Sequence, residues 1–128
     1  MVRVGSAPYL ECSSKGDKRF SAYYAKLACE QNRSIEELYQ GFKMFDDGHG
    51  GFITGLGVKE AKGKCAVNQV PAAQFYSHLW NVYFCENPEL LQAIAPYNGF
   101  SDIFGQEGRC CQAIEIYRIW QAYKASNP

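Results

Sequence analysis

Residues Arg33–Phe45, RSIEELYQGFKMF, decide how the chain is read. Ser34 is a favoured helix N-cap and Glu37 stands three places on, the capping-box spacing. Ile35, Leu38, Phe42 and Phe45 recur at helical intervals and predict a buried stripe. Glu36, Gln40 and Lys43 recur at i, i+4 and i+7, which predicts a second stripe beside the first, at the edge of the core. An acid, an amide and a base in one row suit the wall of a cleft. A capped surface helix with a polar row accounts for the same pattern.

Working outward, the bulk properties bound the rest. The 128 residues predict a single domain spanning 1–128, long enough for one sizeable core. Thirteen basic and thirteen acidic residues cancel, which disfavours direct nucleic-acid binding by bulk electrostatics. No apolar run approaches a membrane span, and MVRVGSAPYL lacks the apolar centre of a signal peptide, so a cytoplasmic protein with no membrane partner is expected. The six cysteines include no C-x-x-C pair and no zinc-ribbon spacing, which predicts free thiols. Cys110 and Cys111 are adjacent, so one is expected to pack and the other to be half exposed. Oligomeric state is not legible.

Along the chain, Ala7–Cys12 predicts a short strand, Ser13–Arg19 a polar loop, and Ala25–Glu30 an edge strand turning through Gln31–Arg33 into the capped helix. Asp46–Gly57, DDGHGGFITGLG, predicts a loop or a lid over a cleft. It holds Asp46, Asp47 and His49, but a third strong ligand is missing and no metal is expected. Val58–Lys64 predicts one or two helical turns that gather Lys59, Lys62 and Lys64. Pro71–Asn87 predicts a long helix with Pro71 at its first position, an apolar face including Phe75, Tyr76, Leu79 and Tyr83, and Trp80 on the flank. A short helix to about Ala95 follows, then an irregular link over Phe100–Gly108, then a last helix over Cys110–Ala125 docked through Cys111, Ile114 and Tyr117.

The pattern S-x-E-x-x-Y-Q-x-x-K, standing here as Ser34, Glu36, Tyr39, Gln40 and Lys43, resembles the signature helix of the NADAR (YbiA-like) family of N-glycosidases. Phe20, Ser21 and Tyr23 resemble that family's F-S-x-F/Y segment in type and distance. Asp102, Phe104, Gly105, Gly108 and Arg118 resemble its C-terminal order of an acid, a Trp-Gly pair, a glycine-rich turn and an arginine on the final helix. The tryptophan is Phe104 here, and the shorter turn holds no asparagine, leaving Arg109 or Gln112 in that place. The order of motifs runs from about Tyr9 to Tyr123. The resemblance implies an α+β fold, predominantly α-helical, with a small N-terminal β-sheet or hairpin. It implies action on a nucleotide or an ADP-ribosylated base, without a cofactor, and one lysine after the signature helix facing the site.

Breaking a ribosyl–nitrogen bond builds positive charge on the sugar and needs a carboxylate nearby. A second group must help the base depart. Glu36 and Asp102 are the expected catalytic pair. Glu36 lies in the first helical turn, where the helix dipole favours its ionised form. Lys43 suits a phosphate and Gln40 a ribose hydroxyl. Phe20, Tyr23 and Phe104 suit the walls of a base pocket, with Ser21, Tyr39, Gly105 and Arg109 completing the expected binding residues. The leading expectation is an N-glycosidase acting on a phosphorylated or ADP-ribosylated nucleotide. The alternatives are a non-catalytic protein that sequesters such a nucleotide and an interaction module whose aromatic residues meet a protein partner.

Overall fold

The structure is a computed structural model that describes residues 1–127. In chain order its elements are β1 (Val2–Gly5), β2 (Tyr9–Glu11), β3 (Lys26–Leu27), β4 (Arg33–Ser34), α1 (Ile35–Phe42), β5 (Phe45–Asp46), β6 (Phe52–Ile53), α2 (Val58–Ala61), α3 (Gln69–Glu86), α4 (Leu90–Ile94), β7 (Gly99–Asp102) and α5 (Gln112–Ser126). This is an α+β fold in which helices outweigh strands. None of the helices described is long and apolar enough to cross a membrane.

α1 begins at the expected residue. Ser34 Oγ accepts the Glu37 N–H at 3.1 Å, a cap whose removal costs about 1 kcal/mol. The Glu37 carboxylate turns instead to Arg33 Nε at 3.0 Å, so the box is closed on one side only. Ile35 and Leu38 are buried. The expected stripe ends there, because the helix stops at Phe42: Phe42 is partly exposed against Phe75, and Phe45 opens β5.

The main sheet has the order β1-β7-β2, with β1 antiparallel and β2 parallel to the central strand. The sheet is therefore not wholly N-terminal, and the irregular link expected over Phe100–Gly108 opens as its central strand. All four residues of β7 are buried, which suits a strand with neighbours on both edges and helix α5 packed on it. Gly5 and Gly99 face each other in the register. A side chain on Gly99 would meet the Tyr9 ring at 2.5 Å, so the approach of β2 to β7 depends on that glycine.

The glycine-rich stretch after α1 also has more structure than expected. Phe45 pairs with Ile53 and Asp46 with Phe52, forming a hairpin whose tip carries Gly48 and Gly50 at positive φ. α3 crosses the centre of the molecule, and Trp80 is its most buried side chain rather than a flanking one. Pro71 falls in the third position of α3, not the first. Phe20, Trp80, Phe84, Ile94, Phe100 and Ile116 lie in one core, each contributing about 1.5–3 kcal/mol through burial. On α5 the buried residues are Ala113, Glu115 and Ile116, with Cys111 capping the helix from outside.

Candidate functional site

The polar row of α1 lies inside the protein. Glu36 is 9%, Gln40 4% and Lys43 7% exposed. Gln40 Nε2 donates to Glu36 Oε1 at 2.7 Å. Lys43 stands just past the helix on extended backbone, where its Nζ reaches the carbonyl oxygens of Ala61 and Lys64 at 3.4 Å each and lies 5.1 Å from the Tyr39 ring centre. Burial holds the Glu36 pKa above the ordinary carboxylate value, against the opposing pull of the Gln40 hydrogen bond and the Lys43 charge. Loss of solvent at Glu36 thus works against the ionised form that its place in the first helical turn favours. Burial likewise lowers the Lys43 pKa, with the Glu36 charge opposing it.

A second wall begins at the end of β7. Asp102 Oδ1 accepts the Phe104 N–H at 2.9 Å. Its Oδ2 accepts from Gln112 Nε2 at 2.7 Å and from Cys111 Sγ at 3.5 Å. Gly105 donates its N–H to the Asp102 carbonyl at 3.0 Å, and a Cβ there would lie 2.8 Å from the Val2 side chain. The turn that presents Phe104 therefore packs on β1 only with glycine at that position.

The third wall is the turn after Phe20. The Ala22 carbonyl accepts the Glu36 N–H at 3.0 Å, and the Ala25 carbonyl accepts the Ile35 N–H at 2.9 Å. These bonds hold Ser21 and Tyr23 beside the start of α1. Tyr23 is exposed, and its hydroxyl meets Lys62 Nζ from the far side of the opening. Phe20 does not join this wall. It is sealed in the core, stacked on Phe84 with ring centres 6.1 Å apart, and cannot stack on a ligand. The F-S-x-Y turn sends its first aromatic inward and its second outward.

Between these walls lies a cavity of about 570 Å³. It brings together Glu36, Gln40 and Lys43 with Asp102, Phe104 and Gly105, and also with Ser21, Tyr23, Tyr39 and Arg109. Of the expected site residues, only Phe20 lies elsewhere. Lys62, and not Lys59 or Lys64, is the lysine of α2's C-terminal end that lines the cavity. Gln112 lines it with Arg109, so both residues in the place of the absent asparagine face the same space.

Ser13, Ser14, Tyr76 and Cys110 also line the cavity and were not expected there. The serines lie in a polar loop that carries no local sign of a site. Tyr76 had a signal in principle: a tyrosine on an apolar helix face brings a hydroxyl that must meet something polar. Cys110 is the half-buried member of the adjacent pair, and Cys111 is packed, as the sequence predicts. All six cysteines are free.

The two carboxylates differ in surroundings. Asp102 has donors on both oxygens and is held in place. Glu36 has a donor on Oε1 from Gln40, and its other oxygen is the one available to a ligand. Positive charge is close at hand on Lys43, Lys62 and Arg109. Comparison with protein-family models, characterised proteins and solved structures finds no match to this chain.

Proposed function

We propose that the protein is an N-glycosidase that hydrolyses the ribosyl–nitrogen bond of a phosphorylated or ADP-ribosylated nucleotide. The observation that carries this reading is the meeting of Glu36 and Asp102, from opposite ends of the chain, at one cavity with Lys43, Lys62 and Arg109. Its size falls in the range of small-molecule sites.

In this mechanism water attacks C1′, the C1′–N bond breaks, and its electron pair leaves with the base. Asp102, fixed by its donors, offers a stationary negative charge to the developing oxocarbenium ion. Glu36, whose pKa burial raises, handles the proton: it gives one to the departing base or takes one from the attacking water. Tyr23 and Phe104 are exposed aromatics at the mouth and stack on the base. The cations hold the phosphate. The resemblance of the α1 motif to the NADAR family agrees with this assignment.

A second reading has one observation in its favour. Asp102 already has donors on both oxygens, as a carboxylate with a purely structural task would. A protein that only sequesters an ADP-ribose-type nucleotide would use the same cavity without turnover. Incubation with a panel of ribosyl nucleotides, followed by mass spectrometry, separates the two. Free base with ribose phosphate or ADP-ribose supports the glycosidase. Intact nucleotide retained by the protein supports sequestration. No product and no retained nucleotide from any member of the panel removes both.

A further inference from the structure

One side of the cavity is walled by a segment with little hold on the core. Residues 55–65 carry α2, and of them only Ala61 is buried, with Leu56 and Val58 half-buried. The segment sets Lys62 and Gly63 at the cavity, whereas none of residues 46–57 lines it. A cover over this opening is therefore drawn from α2 and the residues after it, not from the hairpin before it. Segments with so little buried apolar surface lie at the low end of local stability.

Both ends of the segment are tied down, and each tie adjoins a glycine in the left-handed region. Gly55 stands at φ +77°, and its N–H donates to the Gly41 carbonyl of α1 at 2.9 Å. Gly63 stands at φ +80°, and just beyond it the Lys64 carbonyl accepts from Lys43 Nζ at 3.4 Å. A Cβ on either glycine would meet no atom within 4 Å. Backbone conformation and not packing calls for glycine there, and the space around both leaves them free to turn.

Between the two glycines the firmest contacts gather near the end of α2. Ala61 buries its methyl group, and its carbonyl accepts from Lys43 Nζ at 3.4 Å. The Lys62 ammonium meets the Tyr23 hydroxyl and lies 4.5 Å from the centre of that ring. Lys43 thus has one acceptor between the glycines and one beyond them. If Ala61 lifts, the buried ammonium keeps the Lys64 carbonyl. Lys62 and Tyr23 are both exposed and meet from opposite sides of the mouth, a contact that is weak in water and readily broken.

We infer that residues 56–62 form a cover over the cavity, hinged at Gly55 and Gly63 and latched by Lys62 against Tyr23, and that it swings away to admit or release a ligand. Such a cover shuts water out of the cavity while a ligand is held. It concerns access alone and does not rest on the ribosyl reading.

The ligand-free protein tests it. ¹⁵N relaxation dispersion reads the swing, and alkylation of Cys110 by iodoacetamide reads access, because that thiol meets the Tyr39 hydroxyl at the cavity wall. In the parent protein the amides of 56–62 should exchange at one common rate. Lys62→Met removes the latch without touching the hinges and should raise the Cys110 alkylation rate about threefold. Tyr23→Phe removes only the hydroxyl and should raise it less. Lys59→Met, on the same segment but away from the cavity, should leave it at the parent's value. Cys12 and Cys111 should stay unreacted in every variant, which shows that the core is intact. An unchanged Cys110 rate in Lys62→Met overturns the cover. So does an equal rise in Lys59→Met, and so do amides of 56–62 that share no common rate. The ribosyl reading is untouched by any of these results, since it stands or falls on product formation.

Discussion

Gln112 Nε2 donates to Asp102 Oδ2 at 2.7 Å, and the oxygen of the same amide receives the Ala22 N–H at 3.3 Å. One side chain at the start of α5 thus joins the end of β7 to the turn that carries Ser21. The Ala22 carbonyl in turn holds the Glu36 N–H. A line of hydrogen bonds therefore runs from Asp102 through Gln112 and Ala22 to Glu36, setting both carboxylates in one frame.

Gln112→Leu keeps the volume and removes both bonds, leaving a carboxylate oxygen and a partly buried N–H short of partners. It should lower stability by about 1–3 kcal/mol in denaturant unfolding. It should also lower turnover on any ribosyl nucleotide found to be a substrate. An unchanged unfolding midpoint would mean that the amide does not bridge Asp102 and Ala22 in solution.

The part of this frame on α1 is legible in the sequence, and the part on β7 is not. Ser34 caps a helix by its own chemistry, and from that start the i, i+4 spacing puts Glu36 and Gln40 on one side whatever the rest of the chain does, whereas Lys43 reaches the same cavity from extended backbone just past the helix. β7 carries no such signal. Its residues are buried on both faces, so they do not alternate, and the Asn98-Gly99 pair at its start and Gly105 after it look like a turn. Asp102 takes its place through pairing with Val2, a partner from the opposite end of the chain. The inward direction of Phe20 is not legible for a related reason. In FSAYY the direction of each aromatic depends on a 3₁₀ turn at Lys18–Phe20, whose start is set by the Asp17 side chain accepting the Arg19 N–H.

The buried Glu36 gives the fold a definite pH dependence. Its folded pKa lies above the ordinary glutamate value, so above that value the folded state holds more proton than the unfolded one. Stability from this residue is complete below the unfolded pKa and falls as pH rises through the folded pKa. Glu36→Gln should remove this decline and be more stable than the parent at neutral pH, the difference shrinking toward pH 4. Melting temperatures of both proteins across the acidic-to-neutral range measure it. A Glu36→Gln protein that loses stability at neutral pH would mean that the carboxylate is held there in its charged form.

The thiols should divide by location. All six should titrate as free under denaturing, non-reducing conditions. In the native protein an aromatic disulfide reagent should meet the exposed Cys65 and Cys85 first, with Cys29 slower because Glu86 beside it raises its pKa. Cys12 and Cys111 should react only on unfolding: burial raises both thiols, that of Cys111 to about 12. Cys110 is half-buried at the cavity wall and should be slowed further by any ligand that fills it. Rapid reaction of Cys111 would contradict its packing against Asp102.

The three basic residues of the cavity allow phosphate contact to be told apart from support of the fold, and both from catalysis. Lys43 is buried and bonded to the Ala61 and Lys64 carbonyls, so it holds the end of α2 that carries Lys62. Arg109 is exposed, and the ion pairs among the described residues, Asp17–Arg19, Arg33–Glu37 and Glu115–Arg118, leave it unengaged. Lys43→Ala should therefore lower the melting temperature and weaken substrate binding together. Arg109→Ala should weaken binding with the melting temperature intact, raising KM while kcat holds, because a phosphate contact is the same before and after the bond breaks. Glu36→Gln should do the reverse, lowering kcat by at least about a hundredfold with little change in affinity, since an amide can neither give nor take the proton that moves as the bond breaks. The measurements are binding, turnover and melting temperature on one substrate for all three variants. Full turnover in Glu36→Gln would exclude Glu36 as the proton-handling group and pass that role to Asp102, while a fall in kcat alone for Arg109→Ala would place its guanidinium at the breaking bond instead of the phosphate.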